Sequence, residues 1–162
     1  MNWDEYFMNI ANAVAMKSHC LSRQLGAIAV KDNKFIVATG YNGPPVGYPH
    51  CGENYEFKGK TYTHTFSECP RHKAGYKSGQ GLEICPASHA ELNVLIEAAR
   101  LGTKIEGCKL YLSGPNPCRE CSKAIVNAGI IEVIYKDNIA YPDIGLSGKT
   151  ILETCGVKVR LI

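Results

Sequence analysis

No stretch of this 162-residue chain is apolar over a length that could span a bilayer, so a membrane partner is not expected. The opening residues, MNWDEYFMNI, lack the basic, apolar and small-residue succession of a secretory signal, and a cytoplasmic setting is expected. Charge of one sign is also missing. Eighteen basic and fifteen acidic residues leave a net charge of +3, too slight to argue for a nucleic-acid partner, and the mixed charges read as a solvated surface. There is no internal repeat and no low-complexity linker. A single domain over residues 1–162 is expected, long enough to bury a real core.

What the chain does have is eight cysteines. In a reducing cytoplasm, clustered Cys and His point to metal rather than to disulfides. Around them the pattern alternates. Trp3, Phe7, Ile10 and Val14 recur at helical spacing, predicting an amphipathic helix from Asn2 or Asp4 to about Lys17. GAIAVK (26–31) and FIVATGY (35–41) flank DNK, a turn signal, and read as an antiparallel hairpin. An irregular Cys/His-rich insert follows at about 42–86, longer than ordinary connections and therefore expected to be functional or stapled by metal. AELNVLIEAARLG predicts a helix with Leu92, Leu95, Ile96 and Ala99 on one face, closed by Gly102. KLYLS (109–113) is a short strand, CRECSKAIVNAG a helix from near Cys118 to Gly129, and IIEVIYK a buried strand. A last helix in GLSGKTILETCG and a last strand in VKVRLI complete the chain. This order predicts an α/β fold with parallel strand pairs beside the opening hairpin.

The chemistry resides in two short motifs. In PNPCREC, Cys118 and Cys121 stand three apart at the first turn of a helix, where backbone N–H groups and the helix dipole favour thiolates. In SHAELNVL, His89 lies at the start of the preceding helix. One His and two Cys make a three-ligand zinc site with an open fourth position, the pattern of a catalytic centre. Glu91 is about 200° around the helix from His89, so the two cannot simply bind one ion. With His89 at the cap, Glu91 can lean in beside the metal. An open zinc lowers the pKa of water towards about 7, and a carboxylate can carry the proton to a substrate nitrogen. His-x-Glu alone reads as helix surface, and Cys-x-x-Cys alone could be a redox pair or a structural zinc site. Together they match the H-x-E…P-C-x-x-C signature of zinc nucleobase deaminases.

SHAELNVL with PNPCRECSKAIVNAGIIEVIY resembles the cytidine and deoxycytidylate deaminase superfamily. KSHCLSRQLGAIAVKDNKFIVATGYNGPP and CPRHKAGYKSGQGLEICPASHAELN narrow the resemblance to its deoxycytidylate deaminases, bacterial and phage members among them. The resemblance runs from about Met8 to the C-terminus. It implies a three-layer α/β/α sandwich around a five-stranded mixed sheet, and hydrolysis of dCMP to dUMP and ammonia for thymidylate synthesis. For a phage-encoded chain the setting would be the host cytoplasm. By motif, His89, Cys118 and Cys121 would bind zinc, and Glu91 would protonate N3 of the base and then help ammonia leave. The backbone at Ala90 and the Ser113–Pro117 loop would hold the base edge, and Asn42 the sugar hydroxyl. YLSGPNPC is one residue longer than the commoner YVTLSPC, so that loop is expected to be reshaped. Ser22, Arg23 and Tyr141 are candidates near the phosphate; the alternatives are a surface ion pair for Arg23 and a half-buried loop aromatic for Tyr141.

The resemblance further implies a homohexamer activated by dCTP and inhibited by dTTP, with Mg2+ on the triphosphate. That nucleotide would lie against GYNGPPVG, where Gly43 and Gly47 let backbone N–H groups approach phosphates; the alternative is a mobile loop. Arg100 could sit at a subunit contact or simply be solvated. Related enzymes carry a second, structural zinc on cysteines matching Cys20 and Cys51. Cys69 and Cys85 are expected to complete it, with His50, His64 and His72 as alternatives. Cys108 and Cys155 are expected to be small buried residues. The rival readings are another cytidine, cytosine or tRNA-adenosine deaminase, and a zinc-binding interaction module. A module would have no use for Glu91 and would close its metal with a fourth protein ligand.

Overall fold

The computed structural model describes residues 1–63, 68–77, 79–137 and 146–162. Asn2 and Glu5 form a capping box, each side chain accepting the other's backbone N–H at 2.8 and 3.0 Å, and so start helix α1, Trp3–Ala15. Strands β1 (Gly26–Lys31) and β2 (Phe35–Tyr41) pair antiparallel across a turn in which Asp32 and Asn33 both have positive φ, the geometry that matches strand twist. The insert is not irregular throughout. It contains a separate hairpin, β3 (Asn54–Phe57) with β4 (Lys60–Thr63), a one-turn helix α2 (Pro70–Lys73) and a 3-10 turn at Leu82–Ile84. Helix α3 (Ala90–Leu101), strand β5 (Lys109–Pro115), helix α4 (Arg119–Asn127), strand β6 (Glu132–Asp137), helix α5 (Gly148–Thr154) and strand β7 (Lys158–Leu161) follow.

The main sheet has the order β2-β1-β5-β6-β7. β1 is antiparallel to both its neighbours, and β5, β6 and β7 are mutually parallel. Alternation along the strands divides the core in two. Ala27, Ala29, Leu110, Leu112, Val133 and Tyr135 face Val94, Ala98, Cys121, Ile125 and Leu152 of α3, α4 and α5. Ile28, Val30, Tyr111 and Ile134 face Phe7, Met8 and Ala11 of α1. Helices therefore cover both faces, as in a three-layer α/β/α sandwich.

Two helices turn a different face inward from the one their large apolar residues suggest. On α1 the buried residues are Phe7, Met8, Ala11 and Ala15, with the expected Ile10 and Val14 packed at the edge of that core and Trp3 58% exposed. On α3 they are Ala90, Glu91, Val94 and Ala98; Leu92 and Leu95 sit at the edge, Ile96 is 57% exposed, and Ala99 and Arg100 face outward. The cause is close backbone approach. A Cβ on Gly26 would run into the Ala11 carbonyl and Ala15, and one on Gly40 would lie 2.5 Å from Val94 N and 2.6 Å from the Ala90 carbonyl. Small helical residues must face those glycines, which pushes the larger ones to the flanks.

An ionic network ties α1 to the far edge of the sheet. Arg160 donates to Asp4 at 2.8 and 3.1 Å and to Glu132 at 2.6 Å. Tyr111 donates to Asp4 at 2.7 Å, and Lys109 lies 2.9 Å from Glu132. Cys108 is fully buried as expected, but Cys155 is exposed, because it caps short α5 where the chain turns out at Gly156. Among the described residues no helix is long and apolar enough to cross a membrane.

Candidate functional site

Because β2 and β5 are each antiparallel to β1, they run in the same direction. The insert and α3 follow the end of β2, and α4 follows the end of β5, so both helices begin at the same end of the sheet. Their N-cap positions are His89 and Cys118, each in extended conformation. N-caps usually hold Ser, Thr, Asp or Asn to satisfy the first turn. Here neither side chain caps its helix; they turn towards each other. His89 Nδ1 is 3.5 Å from Cys118 Sγ and 3.4 Å from Cys121 Sγ. Tetrahedral zinc with ordinary bond lengths places its N and S ligands about 3.6 Å apart, so the trio fits that ion without rearrangement. Among the described residues it is the only group of three metal-type donors within 4.8 Å of one another, which leaves a fourth position open.

The two thiols differ electrostatically. A hydrogen bond from Cys121, helped by His89, holds Cys118 below the usual thiol range, while that same hydrogen bond, and then burial, push Cys121 up. His89 is raised, chiefly by its bond to Cys118. Glu91 is only 6% exposed, and burial raises its pKa against the opposing field of His89. That environment suits a carboxyl group that takes up and releases a proton.

Glu91 and His89 line an open cleft of about 570 Å³, counted out to its mouth, together with Arg23, Leu25, Asn42 and Arg71. Glu91 also borders a smaller recess formed by Leu25, Gly26, Ala90, Leu112, Gly114 and Pro115. The cleft brings together Arg23, Asn42, His89 and Glu91 from the sequence reading, and Ala90 joins through the recess. Asn42 is held hard: its amide donates to the Arg23 carbonyl at 2.9 Å and accepts from Leu25 N–H at 2.8 Å. Arg23 lies 3.8 Å from Asp137.

Other candidates lie elsewhere. The Ser113 hydroxyl accepts Gly26 N–H at 2.8 Å and borders neither hollow; the loop reaches the recess through Gly114 and Pro115 instead. Ser22 hydrogen-bonds His72 at 3.1 Å. Gly43 donates its N–H to the Ser88 carbonyl at 3.1 Å; Gly47 is exposed, with φ +86°. Tyr141 and His64 fall outside the described residues.

Cys20, Cys51, Cys69 and Cys85 line one cavity, with His19 and His50, next to the cleft. Burial raises Cys51, and the other three cysteines raise it further, so they lie within electrostatic reach. No three of their sulfurs come within 4.8 Å of one another. The sequence reading missed Arg71, which borders both this cavity and the cleft, and Leu25. A lone arginine among charged neighbours in RHK carries no local sign of burial.

An imidazole, two thiols and a buried carboxyl at paired helix starts, on a three-layer α/β sandwich, define an open metal centre of the hydrolytic zinc type. Residues 1–137 match the family model described as the cytidine and deoxycytidylate deaminase zinc-binding region, and the chain belongs to that family. The deoxycytidylate deaminase of Schizosaccharomyces pombe is 32% identical over 159 residues, 98% of this chain but 44% of that protein. This chain therefore spans less than half of that relative's length. The deoxycytidylate deaminase of Mycobacterium phage D29 is 37% identical over 139 residues, 83% of this chain and 94% of its own. In three dimensions the chain is similar to the dCMP deaminase of cyanophage S-TIM5, crystallised with dCMP and dUMP. The TM-score is 0.70 at 29% identity, covering 98% of this chain and 95% of that one.

Proposed function

We propose that this chain is a zinc-dependent deoxycytidylate deaminase that hydrolyses dCMP to dUMP and ammonia, a source of dUMP for thymidylate synthesis. The observation that carries this reading is the His89, Cys118 and Cys121 trio, whose His89 lines the same cleft as Glu91. Zinc held by that trio supplies a Lewis acid that makes water nucleophilic near neutral pH. Glu91 would take a proton from the attacking water and deliver it to N3, then take the proton of the new C4 hydroxyl and pass it to the exocyclic amine, so that the C4–N bond breaks and ammonia leaves as the C4 carbonyl forms. The raised proton affinity of Glu91 in its buried setting supports that role. Ala90, Gly114 and Pro115 flank the base edge, Asn42 turns its remaining amide capacity to the sugar, and Arg23 faces the phosphate. Ser22, on the segment it shares with Arg23, is a further candidate for the phosphate end, and Tyr141 is a candidate by family resemblance alone.

Cys20, ahead of β1, and Cys51, Cys69 and Cys85 of the insert hold a second, structural zinc; their shared cavity supports this, with His50 as the alternative ligand beside it. The enzyme is cytoplasmic and homohexameric, activated by dCTP and inhibited by dTTP with Mg2+. That regulation rests on the family resemblance, and because Gly43 N–H is taken, the triphosphate would use the exposed turn at Gly47. Ammonia release from dCMP, dCTP, deoxycytidine and cytosine, assayed in parallel with and without added dCTP and dTTP, tests the reading. Faster turnover of dCMP than of the others is expected. Deoxycytidine turned over as well as dCMP would overturn the assignment to the nucleotide.

A further inference from the structure

Arg71 is 8% exposed, although its neighbours His72 and Lys73 in α2 are exposed. One of its guanidinium nitrogens, Nη1, donates to the Gln80 carbonyl at 2.9 Å. Its Nε is buried with no partner among the described residues, and no carboxylate among them lies within ion-pair distance of it. A buried guanidinium without a counter-charge is costly, and such groups are paired wherever a fold persists. Arg71 borders the cleft that also holds His89 and Glu91, and it lies close enough for its charge to oppose protonation of His89. Arg23, the other cation of the cleft, already has Asp137. Among the described residues Arg71 is thus the cleft cation with no ion-pair partner.

We infer that Arg71 supplies the fork that recognises the 5′-phosphate of the nucleotide, and so sets nucleotide over nucleoside; this rests on the proposed deaminase reading of the same cleft. A guanidinium matches a phosphate through two parallel N–H···O bonds, and the unpaired Nε is one of the donors such a fork uses. The position is fixed from the side. Arg71 lies two residues after Cys69, in a segment that returns at Cys85, and both cysteines line the cavity on its other flank. The insert thereby contributes directly to substrate choice. A competing role for Arg71, as counter-charge to the cysteine thiolates, would alter metal content and leave the nucleotide-to-nucleoside ratio untouched.

The test is equilibrium binding of the product pair, dUMP and deoxyuridine, to wild type and to Arg71→Gln, with zinc per chain and thermal midpoint measured alongside. The wild-type preference for dUMP is expected to fall about 10- to 100-fold in Arg71→Gln, the loss expected for a charge-assisted hydrogen bond. Should that variant fail to fold, Arg71→Lys keeps the charge but not the fork, and a smaller loss, about 3- to 10-fold, is expected. A folded variant with the wild-type preference for dUMP overturns the role of Arg71 alone. Wild-type protein that binds deoxyuridine as well as dUMP overturns the nucleotide reading of the cleft itself.

Discussion

At the scale of single residues, Glu91 separates a catalytic metal centre from a structural one. It is almost wholly buried, faces the cleft, and stands two positions from a metal-type ligand without joining the donor trio. Glu91→Gln is therefore expected to retain zinc at the wild-type level while turnover of dCMP falls about 10²- to 10⁴-fold, the usual loss on removing a general acid–base. Metal analysis beside a rate assay checks both halves; undiminished turnover would remove the proton-transfer role. The pair His89 and Glu91 was readable in the sequence because it is local: cap position and helix phase follow from the residues between. Arg71 was not readable. Its burial arises where the insert folds back against the cleft, and nothing within a few residues of it records that contact.

At the scale of elements, α1 depends on charges carried by distant strands. The Arg160 hydrogen bond holds the Asp4 carboxyl below its ordinary value. Burial alone would push Glu132 up, but Lys109 and Arg160 outweigh it and bring it below the usual range. A carboxyl with a depressed folded-state pKa stabilises fully above its unfolded value, about 4, and loses that contribution as pH falls through the folded one. The urea midpoint is thus expected to change little between pH 7 and 5 from this network, and to drop below about pH 4. Arg160→Gln should cost about 1–3 kcal/mol at pH 7 and flatten the acid limb. An unchanged acid limb would show that the network does not couple α1 to the sheet. The contact of β2 with α3 gives a second expectation. Gly40→Ala places a methyl against Val94 N and the Ala90 carbonyl, and should lower stability by about 1–3 kcal/mol, seen as a lower thermal midpoint.

At the scale of the whole molecule, two thiol-bearing centres stand side by side: the trio at the helix starts and the four-cysteine cavity between the segment before β1 and the insert. If each holds an ion, metal analysis should find two zincs per chain, and Cys51→Ser should find one. A wild-type count of one would leave the insert without its proposed staple. Strands β3 and β4 and helix α2 are each only four residues long, so a staple is what their small size calls for. Loss of the second ion is expected to loosen the wall of the cleft as well, because Cys20 and Cys85 border both hollows.

The element order, the hairpin from Gly26 to Tyr41 and the placing of His89 and Cys118 at helix starts were determined by the chain's local pattern, since period, turn residues and cap positions act over a few residues. The inward faces of α1 and α3, the capture of the Ser113 hydroxyl and Gly43 N–H by backbone groups, and the burial of Arg71 were decided only in three dimensions. The physical reason is the same in each case. Which atoms face each other across packed layers depends on how closely backbones approach, and that distance is set by residues far apart in the chain.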